Sequence, residues 1–295
     1  MTPLTKNTPM MTTKITADFE NYLTHLGYTK ATQKNLPRLL TEFLHNTTKP
    51  LETIESIDIL NYYQYIKNRP NKRAIGTLSE SSISHHIYTL KVFFIWQMEI
   101  GRITINPMST LTFSSPKSKP REILTQKEIK KVFEKCISNR EKTVLCLCYG
   151  LGLRRSEAIK IDVEDIHFKT SLAYVREGKG KKRRVIPMNQ TISKYLKTYL
   201  ENERTSIETK AFITTKSGNR TTGGSLNNTL KEVLKRTEIT KKISLHCLRH
   251  SIATHLLQNG LSVEYVRDFL GHKHLESTQI YTRIKNKQLW NLKST

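Results

Sequence analysis

The spacing of apolar residues is the feature that most constrains the fold of this chain. In the first hundred residues these positions recur three and four residues apart, the period of an amphipathic α-helix. Pro37 indicates a kink or a late start in the second of four predicted helices, and Gly101 a stop after the fourth. The helices are predicted from these apolar positions: Phe19, Tyr22, Leu23 and Leu26; Leu36, Leu39, Leu40 and Phe43; Ile59, Leu60, Tyr63 and Ile66; Ile83, Ile87, Leu90 and Phe94.

A change of composition divides the chain in two. The segment "TFSSPKSKPRE", residues 112–122, combines prolines, serines and basic residues and has almost nothing to bury, as is typical of an interdomain linker. Directly after it, Thr125 and Glu128 have the spacing of a capping box that opens a new helix. We therefore predict a helical N-terminal domain (1–112), a linker (113–121) and a second domain (122–295).

The second domain contains the one stretch with a shorter period. Leu172 and Tyr174, and then Val185 and Ile186, predict two strands joined by a tight turn at residues 178–180, Gly-Lys-Gly. Helical patterns return at 190–200, at 225–236 and from residue 246 onward. The predicted fold class is mainly α with a small β-sheet (α+β).

Charge predicts the partner. Lys and Arg number 49 against 25 Asp and Glu, which leaves a formal charge of +24. Such an excess indicates a polyanion, with nucleic acid first and an anionic membrane surface second. No apolar run approaches the ~20 residues that span a bilayer, and the N-terminus lacks a signal-peptide core. We expect a cytoplasmic protein without a membrane partner.

The cysteines predict neither a disulfide framework nor a zinc site. The four, Cys136, Cys146, Cys148 and Cys247, are few and irregularly spaced, and they lack the Cys-x-x-Cys pattern of such a site. Buried apolar packing is the expected role. The glycine-rich phosphate-binding motifs G-x-x-x-x-G-K-[ST] and G-x-G-x-x-G are absent from the sequence, so we expect no nucleotide cofactor. We expect no metal ion either, because two arginines can bind a phosphate where other nucleases use magnesium.

Several polar groups stand in apolar or tightly turned settings of the second domain. Arg154 follows a glycine turn in "GLGLRRSEA", and Glu157 lies one helical turn later, close enough to orient its guanidinium. His246 and Arg249 lie one turn apart in "SLHCLRHSIATHLL". Taken singly, each is explained by a surface salt bridge, a solvated basic turn or a satisfied core histidine. Together they favour phosphodiester chemistry.

That chemistry needs cations where other nucleases use magnesium. Arg154 and Arg249 are the predicted clamp, because two planar guanidiniums can bind the equatorial phosphate oxygens bidentately. Lys179, in "EGKGKKRR", is the predicted general acid for the leaving alkoxide. Phosphate contacts are expected from its basic neighbours Lys181, Lys182, Arg183 and Arg184.

The nucleophile is predicted to be a phenol. A phenol, with an ordinary pKa of about 10, is a weak nucleophile at neutral pH. Tyr281 therefore needs a base or a field of positive charge, either of which His246 can supply. His272, in "LGHKHLESTQIYTR", is expected to donate a further hydrogen bond to the phosphate. A phosphotyrosine ester would conserve the energy of the broken bond, so that rejoining requires no ATP.

These segments resemble those of the tyrosine recombinases, or phage-integrase family, and most closely its short Xer-like members. "GLGLRRSEA" is similar to the family's Gly-Leu-Arg-x-Ser-Glu segment, and "EGKGKKRRVIP" to its β-hairpin lysine motif. "LHCLRHSIATHLLQNG" is similar to the His-x-x-Arg box, and "LGHKHLESTQIYTR" to the closing Leu-Gly-His and tyrosine box. The helical half resembles the family's core-binding (SAM-like) domain in size and helix pattern.

The resemblance implies a site-specific recombinase acting on double-stranded DNA. Its domains would form a C-shaped clamp, and four protomers, alone or with a related recombinase, would exchange strands through a covalent 3′-phosphotyrosine and a Holliday junction. It also implies that Glu157 supports Arg154. The short segment after Tyr281, with Trp290 on its apolar face, is expected to dock on a neighbouring protomer. Because few residues precede the first predicted helix, we expect no arm-binding domain of the kind larger integrases carry, and short, simple sites.

Three alternatives remain open. Charge and helices alone support a DNA-binding protein without catalysis. A metal enzyme using His246, His250 and His255 lacks the glutamate of H-E-x-x-H, because Cys247 occupies that place. A type IB topoisomerase would share the chemistry and relax DNA through a single nick.

Overall fold

The computed structural model divides the chain into two compact units, Met1–Lys119 (unit 1) and Pro120–Thr295 (unit 2). Each unit has a hydrophobic core of its own. No helix in the described part of the chain is both long and apolar enough to span a bilayer. The structure describes residues 9–47, 49–71, 75–114, 122–176, 183–205 and 208–271.

Within its described residues, unit 1 consists of four α-helices and a short 3-10 helix joined by loops. Its α-helices are α1 (Pro9–His25), α2 (Lys30–Asn46), α3 (Ser56–Asn68) and α4 (Glu80–Glu99). Helix α2 packs against both α1 and α4, and the centre of the bundle is aromatic. Phe19, Phe43 and Phe94 are fully buried there. Gly101, with φ of +67°, adopts the left-handed conformation just after α4, as expected for a helix stop.

The four predicted helices are confirmed, with two corrections. Helix α2 begins at Lys30 and continues through Pro37, so the proline does not delay its start. Leu26 and Leu60 were predicted to face the core, yet they are 55% and 39% exposed. Leu26 lies beyond the end of α1, and Leu60 is turned about 100° around α3 from the buried Ile59.

Unit 2 has a helical core beside a small sheet, so the mainly α prediction with a small sheet is confirmed. The capping box of Thr125 and Glu128 opens its first helix, as predicted. A π-helical turn at Cys146–Gly150 packs against α10. The helices are α5 (Gln126–Glu134), α6 (Asn139–Leu145), α7 (Arg155–Lys160), α8 (Gln190–Asn202), α9 (Gly223–Lys235), α10 (Leu245–Gln258) and α11 (Val263–Leu270).

The sheet positions one of the basic residues of the hairpin. It consists, within the described residues, of β1 (Ile166–His167), β2 (Leu172–Val175) and β3 (Arg184–Pro187), antiparallel and in that order. Ile186 pairs with Ala173, and Arg184 pairs with Val175. Since successive strand residues face opposite sides, Arg184 lies on the same face as the fully buried Ile186. That face is directed toward the core.

The cysteines of the π-helical turn have the apolar role expected of them. Cys146 and Cys148 are 1% and 0% exposed, and Cys247 on α10 is also buried. Burial raises the pKa of the Cys148 thiol to about 12, so this thiol stays protonated and unreactive at neutral pH.

Candidate active site

The site begins where the π-helical turn ends. Gly152 has φ of +57°, and a Cβ there would lie 2.8 Å from the Leu270 side chain, so a glycine is required. Two residues later the chain enters α7 with Arg154 at the N-cap. The backbone N–H of Arg154 donates to Glu157 Oε2 at 2.9 Å, and its Nη1 donates to Oε1 at 2.6 Å. Backbone and side chain of Arg154 are thus fixed by the same carboxylate.

The Glu157 carboxylate has a second arginine partner. Arg184 Nη1 donates to Oε1 at 3.1 Å and Nη2 to Oε2 at 2.7 Å, so this pair is bidentate. Arg184 was predicted to contact DNA phosphates from an exposed turn. Its side chain is instead only 9% exposed, because β3 directs it inward. Arg183, its neighbour in that basic run, is exposed.

Arg249 completes the cluster from α10. It is 7% exposed, and its Nη1 lies 3.7 Å from Glu157 Oε2. Nη1 also donates to the carbonyl of Gly152, and Nη2 donates to the carbonyl of Leu270 at 2.5 Å. Arg154 Nη2 donates to the next carbonyl, that of Gly271, at 3.2 Å. Backbone oxygens at the end of α11 therefore hold both predicted clamp arginines.

The charges of this cluster are unbalanced. Burial by itself would raise the pKa of Glu157, but the hydrogen bonds and charge of Arg184, together with Arg154, lower it to about 2. Burial, and then the charge of Arg154, lowers the pKa of Arg249 to about 9. Glu157 and Arg249 are therefore ionised at neutral pH, in a cluster that places three guanidiniums around one carboxylate. A further anion would be stabilised here.

The histidines of α10 differ in their surroundings. His246 is exposed in the first turn, three residues before Arg249, and His250 is also exposed. His255 is buried, and its Nδ1 is hydrogen-bonded to the Tyr149 hydroxyl at 2.8 Å. Within the described ranges, His, Cys, Asp and Glu side chains form no group of three that could hold a metal ion. The arrangement therefore offers no support for the zinc alternative.

The structure brings Arg154, Glu157 and Arg249 together, and it adds Arg184 to them. Two more predicted site residues, His246 and Arg183, are described and exposed, and five lie outside the described residues: Lys179, Lys181, Lys182, His272 and Tyr281. The inward position of Arg184 was missed in the sequence. Its signal was strand alternation, which places Arg184 and the apolar Ile186 on one face.

A family comparison identifies this arrangement. The model of the phage integrase family matches residues 122–288, more than half of the chain. The chain belongs to the phage integrase family. XerD of Oceanobacillus iheyensis is 32% identical to it over 289 residues, which cover 92% of this chain and 94% of that protein. XerA of Pyrococcus furiosus is 32% identical over 283 residues, with 94% and 91% covered. This family member is thus an Xer-like tyrosine recombinase, a DNA strand-exchange enzyme.

Solved structures of integrases have the same fold. A crystal structure of XerA recombinase matches with a TM-score of 0.50 at 25% identity, covering 94% of this chain and 96% of the other. A lambda integrase tetramer bound to a Holliday junction matches with a TM-score of 0.73, covering 91% and 80%. At 18% identity the second likeness concerns the fold alone.

Proposed function

We propose that this tyrosine recombinase cuts and rejoins double-stranded DNA at a specific site through a 3′-phosphotyrosine, with Tyr281 as the nucleophile. The observation that carries the proposal is the cluster of Arg154, Arg184 and Arg249 around the single carboxylate of Glu157. A scissile phosphate supplies the anion that this cluster favours. The reaction then needs neither a metal ion nor ATP.

Each clamp arginine has a distinct anchor. Arg154 is held by Glu157 and by the carbonyl of Gly271, whereas Arg249 is held by the carbonyls of Gly152 and Leu270. Positions fixed before substrate arrives reduce reorganisation when charge develops on the equatorial oxygens of the phosphate. The two arginines would then stabilise the transition state as preorganised cations.

The proton transfers are assigned to the remaining predicted residues. Attack by the Tyr281 oxygen on phosphorus forms the phosphotyrosine bond and breaks the bond to the 5′ oxygen. His246 accepts the phenolic proton, and Lys179 delivers a proton to the departing 5′ oxygen, which leaves a free hydroxyl. His272 donates a hydrogen bond to the phosphate. Rejoining is the reverse displacement.

The rest of the chain is assigned to DNA binding and assembly. Residues 1–112 would act as the core-binding domain, joined by the linker 113–121 to the catalytic domain, 122–295. The charge of +24 supports a polyanionic partner, with Lys181, Lys182 and Arg183 as phosphate contacts. We expect a homotetramer on DNA, assembled through the C-terminal tail, alone or with a related recombinase, acting in the cytoplasm.

Trapping of the covalent adduct tests this function. The substrate is a duplex that the wild-type protein selects from a random-core library, nicked so that the cleaved strand is lost and the adduct accumulates. Wild-type protein is expected to form an adduct that survives denaturation and carries the DNA on residue 281 in peptide mass spectrometry. Tyr281→Phe is expected to form none, whereas Tyr265→Phe, a control on α11, forms it normally.

Three results would contradict the proposal. An adduct with Tyr281→Phe would assign the nucleophile elsewhere. DNA binding without any adduct would favour a DNA-binding protein without catalysis. Relaxation of a supercoiled plasmid without exchange between two selected sites would favour a topoisomerase of type IB.

A further inference from the structure

We propose that Arg184 is a positioning residue for the catalytic arginines: its guanidinium holds the Glu157 carboxylate in the orientation that in turn fixes Arg154. This inference rests on the proposed function, since it concerns the same phosphate clamp. It assigns a specific role to Arg184, which the sequence alone predicts to be one of several phosphate-contacting residues.

The hydrogen-bond geometry distinguishes the two partners of Glu157. Arg184 uses both terminal nitrogens on both carboxylate oxygens, at 3.1 and 2.7 Å. The side chain of Arg154 uses a single nitrogen on Oε1, at 2.6 Å. A bidentate pair fixes the plane of a carboxylate as well as its distance. Arg184 therefore determines how Glu157 presents its oxygens to Arg154.

The burial of Arg184 shows that it is not an exposed phosphate contact, and its bidentate pair with Glu157 distinguishes it from the clamp residue Arg249, which is equally buried but donates to backbone carbonyls. Its side chain is 9% exposed, against 16% for Arg154, and its strand partner Val175 is also buried. A buried guanidinium needs a partner to offset its loss of hydration, and Glu157, with its side chain 2% exposed, is that partner. The pair is a fixed internal element and not part of a solvated binding surface.

A close approach at Gly271 links Arg184 to a second anchor of the clamp. A Cβ at this position would lie 2.9 Å from Cδ and 3.0 Å from Nη1 of Arg184. The carbonyl of the same glycine accepts the hydrogen bond from Arg154 Nη2. The Arg184 side chain thus packs against the peptide that anchors Arg154, and displacement of Arg184 would loosen Arg154 at both of its contacts.

The test uses Arg184→Lys, because lysine keeps the positive charge but cannot form the bidentate pair. Arg176→Lys is the matched control, because Arg176 directly follows the neighbouring strand β2 and its side chain is 50% exposed. Single-turnover cleavage is measured on the nicked, selected duplex at saturating protein, and affinity is measured separately by titration. We expect Arg184→Lys to cleave about tenfold or more slowly because Arg154 is misplaced, with an unchanged Kd. Arg176→Lys is expected to cleave at the wild-type rate.

A double variant tests whether Arg184 acts through Glu157. If it does, Glu157→Gln combined with Arg184→Lys cleaves no more slowly than Glu157→Gln alone. The acid-induced loss of stability of Arg184→Lys should also begin at higher pH than that of the wild type, since Glu157 has lost a partner that favours its ionised form. A loss of packing alone would lower the stability by a similar amount at every pH.

The refuting outcomes separate this inference from the function on which it rests. Equal cleavage by Arg184→Lys and the wild type would refute the role of Arg184. So would a weaker Kd with an unchanged rate at saturation, which marks a DNA contact, or rate losses that multiply in the double variant. A wild-type protein that forms no adduct would refute the proposed function instead.

If the wild-type protein forms no adduct, the pairing of Arg184 with Glu157 can still be tested by a measurement that needs no catalysis. The melting temperatures of the wild type, both single variants and the double variant are compared. The loss in the double variant is expected to be smaller than the sum of the two single losses, because both substitutions break the same pair. Additive losses would refute the pairing of Arg184 with Glu157 in solution.

Discussion

Replacement of Glu157 by Gln removes the carboxylate around which three guanidiniums gather. The Glu157 side chain is 2% exposed, and its oxygens accept hydrogen bonds from Arg154 at 2.6 Å and Arg184 at 2.7 Å. The new amide would direct N–H groups toward N–H donors and leave the cations without their counter-charge. Loss of one partner of a buried ion pair costs about 3–5 kcal/mol, because the remaining charge stays desolvated.

The loss of stability in Glu157→Gln should be large enough to measure directly by calorimetry. For a domain of about 150–250 residues, each kcal/mol lowers the melting temperature by about 2–4 °C, so Glu157→Gln should lower it by about 6–20 °C. The full chain is measured by differential scanning calorimetry at neutral pH, with far-ultraviolet circular dichroism as a second probe.

Glu164→Gln provides the matched control. Glu164 also pairs with an arginine, Arg176, at 2.9 Å, but the two side chains are 54% and 50% exposed. Solvent screens such a pair, and its loss should cost less than about 1 kcal/mol. If Glu157→Gln melts no lower than Glu164→Gln, the buried cluster does not depend on its carboxylate, and the argument for a preorganised clamp fails.

Three further predictions concern pH, packing and metal removal. Folding lowers the pKa of Glu157 to about 2 from an ordinary 4.5, so the ionised Glu157 stabilises the fold fully above pH 4.5 and loses this effect as the pH falls toward 2. The melting temperature of Glu157→Gln should therefore depend less on pH across this range than that of the wild type. An unchanged pH dependence would count against the assignment. At Gly271, with φ of +67°, an added Cβ would crowd Arg184, so Gly271→Ala should lower the free energy of unfolding by about 1–3 kcal/mol. Gly260→Ala is the control, because Gly260 has a similar φ of +84° but open space around it, and its loss should be smaller. Equal melting temperatures of the two variants would exclude the crowding by Arg184. Adduct formation should be unchanged in EDTA, whereas a complete loss restored by zinc would overturn the arginine clamp.

Local signals in the sequence predicted much of the fold and part of the site. The period of 3.6 residues located the helices of unit 1, and the capping box of Thr125 and Glu128 located the start of α5. Arg154 and Glu157 could be paired from their spacing alone, since residues one helical turn apart can meet. Each of these inferences uses interactions between residues close in the chain.

The features that were missed depend on contacts between distant segments. The π-helical turn at Cys146–Gly150 packs against α10, and its apolar sequence is equally suited to an ordinary helix. Arg184 stands in a run of basic residues that reads as an exposed turn, and its inward position depends on the register of β3 against β2. A one-residue shift of that register would have exposed Arg184 instead.

The anchors of the two clamp arginines are largely main-chain oxygens. Gly152, Leu270 and Gly271 provide carbonyl groups, and every amino acid at these positions carries the same group. Side-chain replacement there cannot delete an anchor; it can only displace one by bending the path of the backbone. The residues tolerated at Gly152 and Gly271 are therefore limited by the left-handed backbone conformation of both positions, and hardly at all by the chemistry of the side chain.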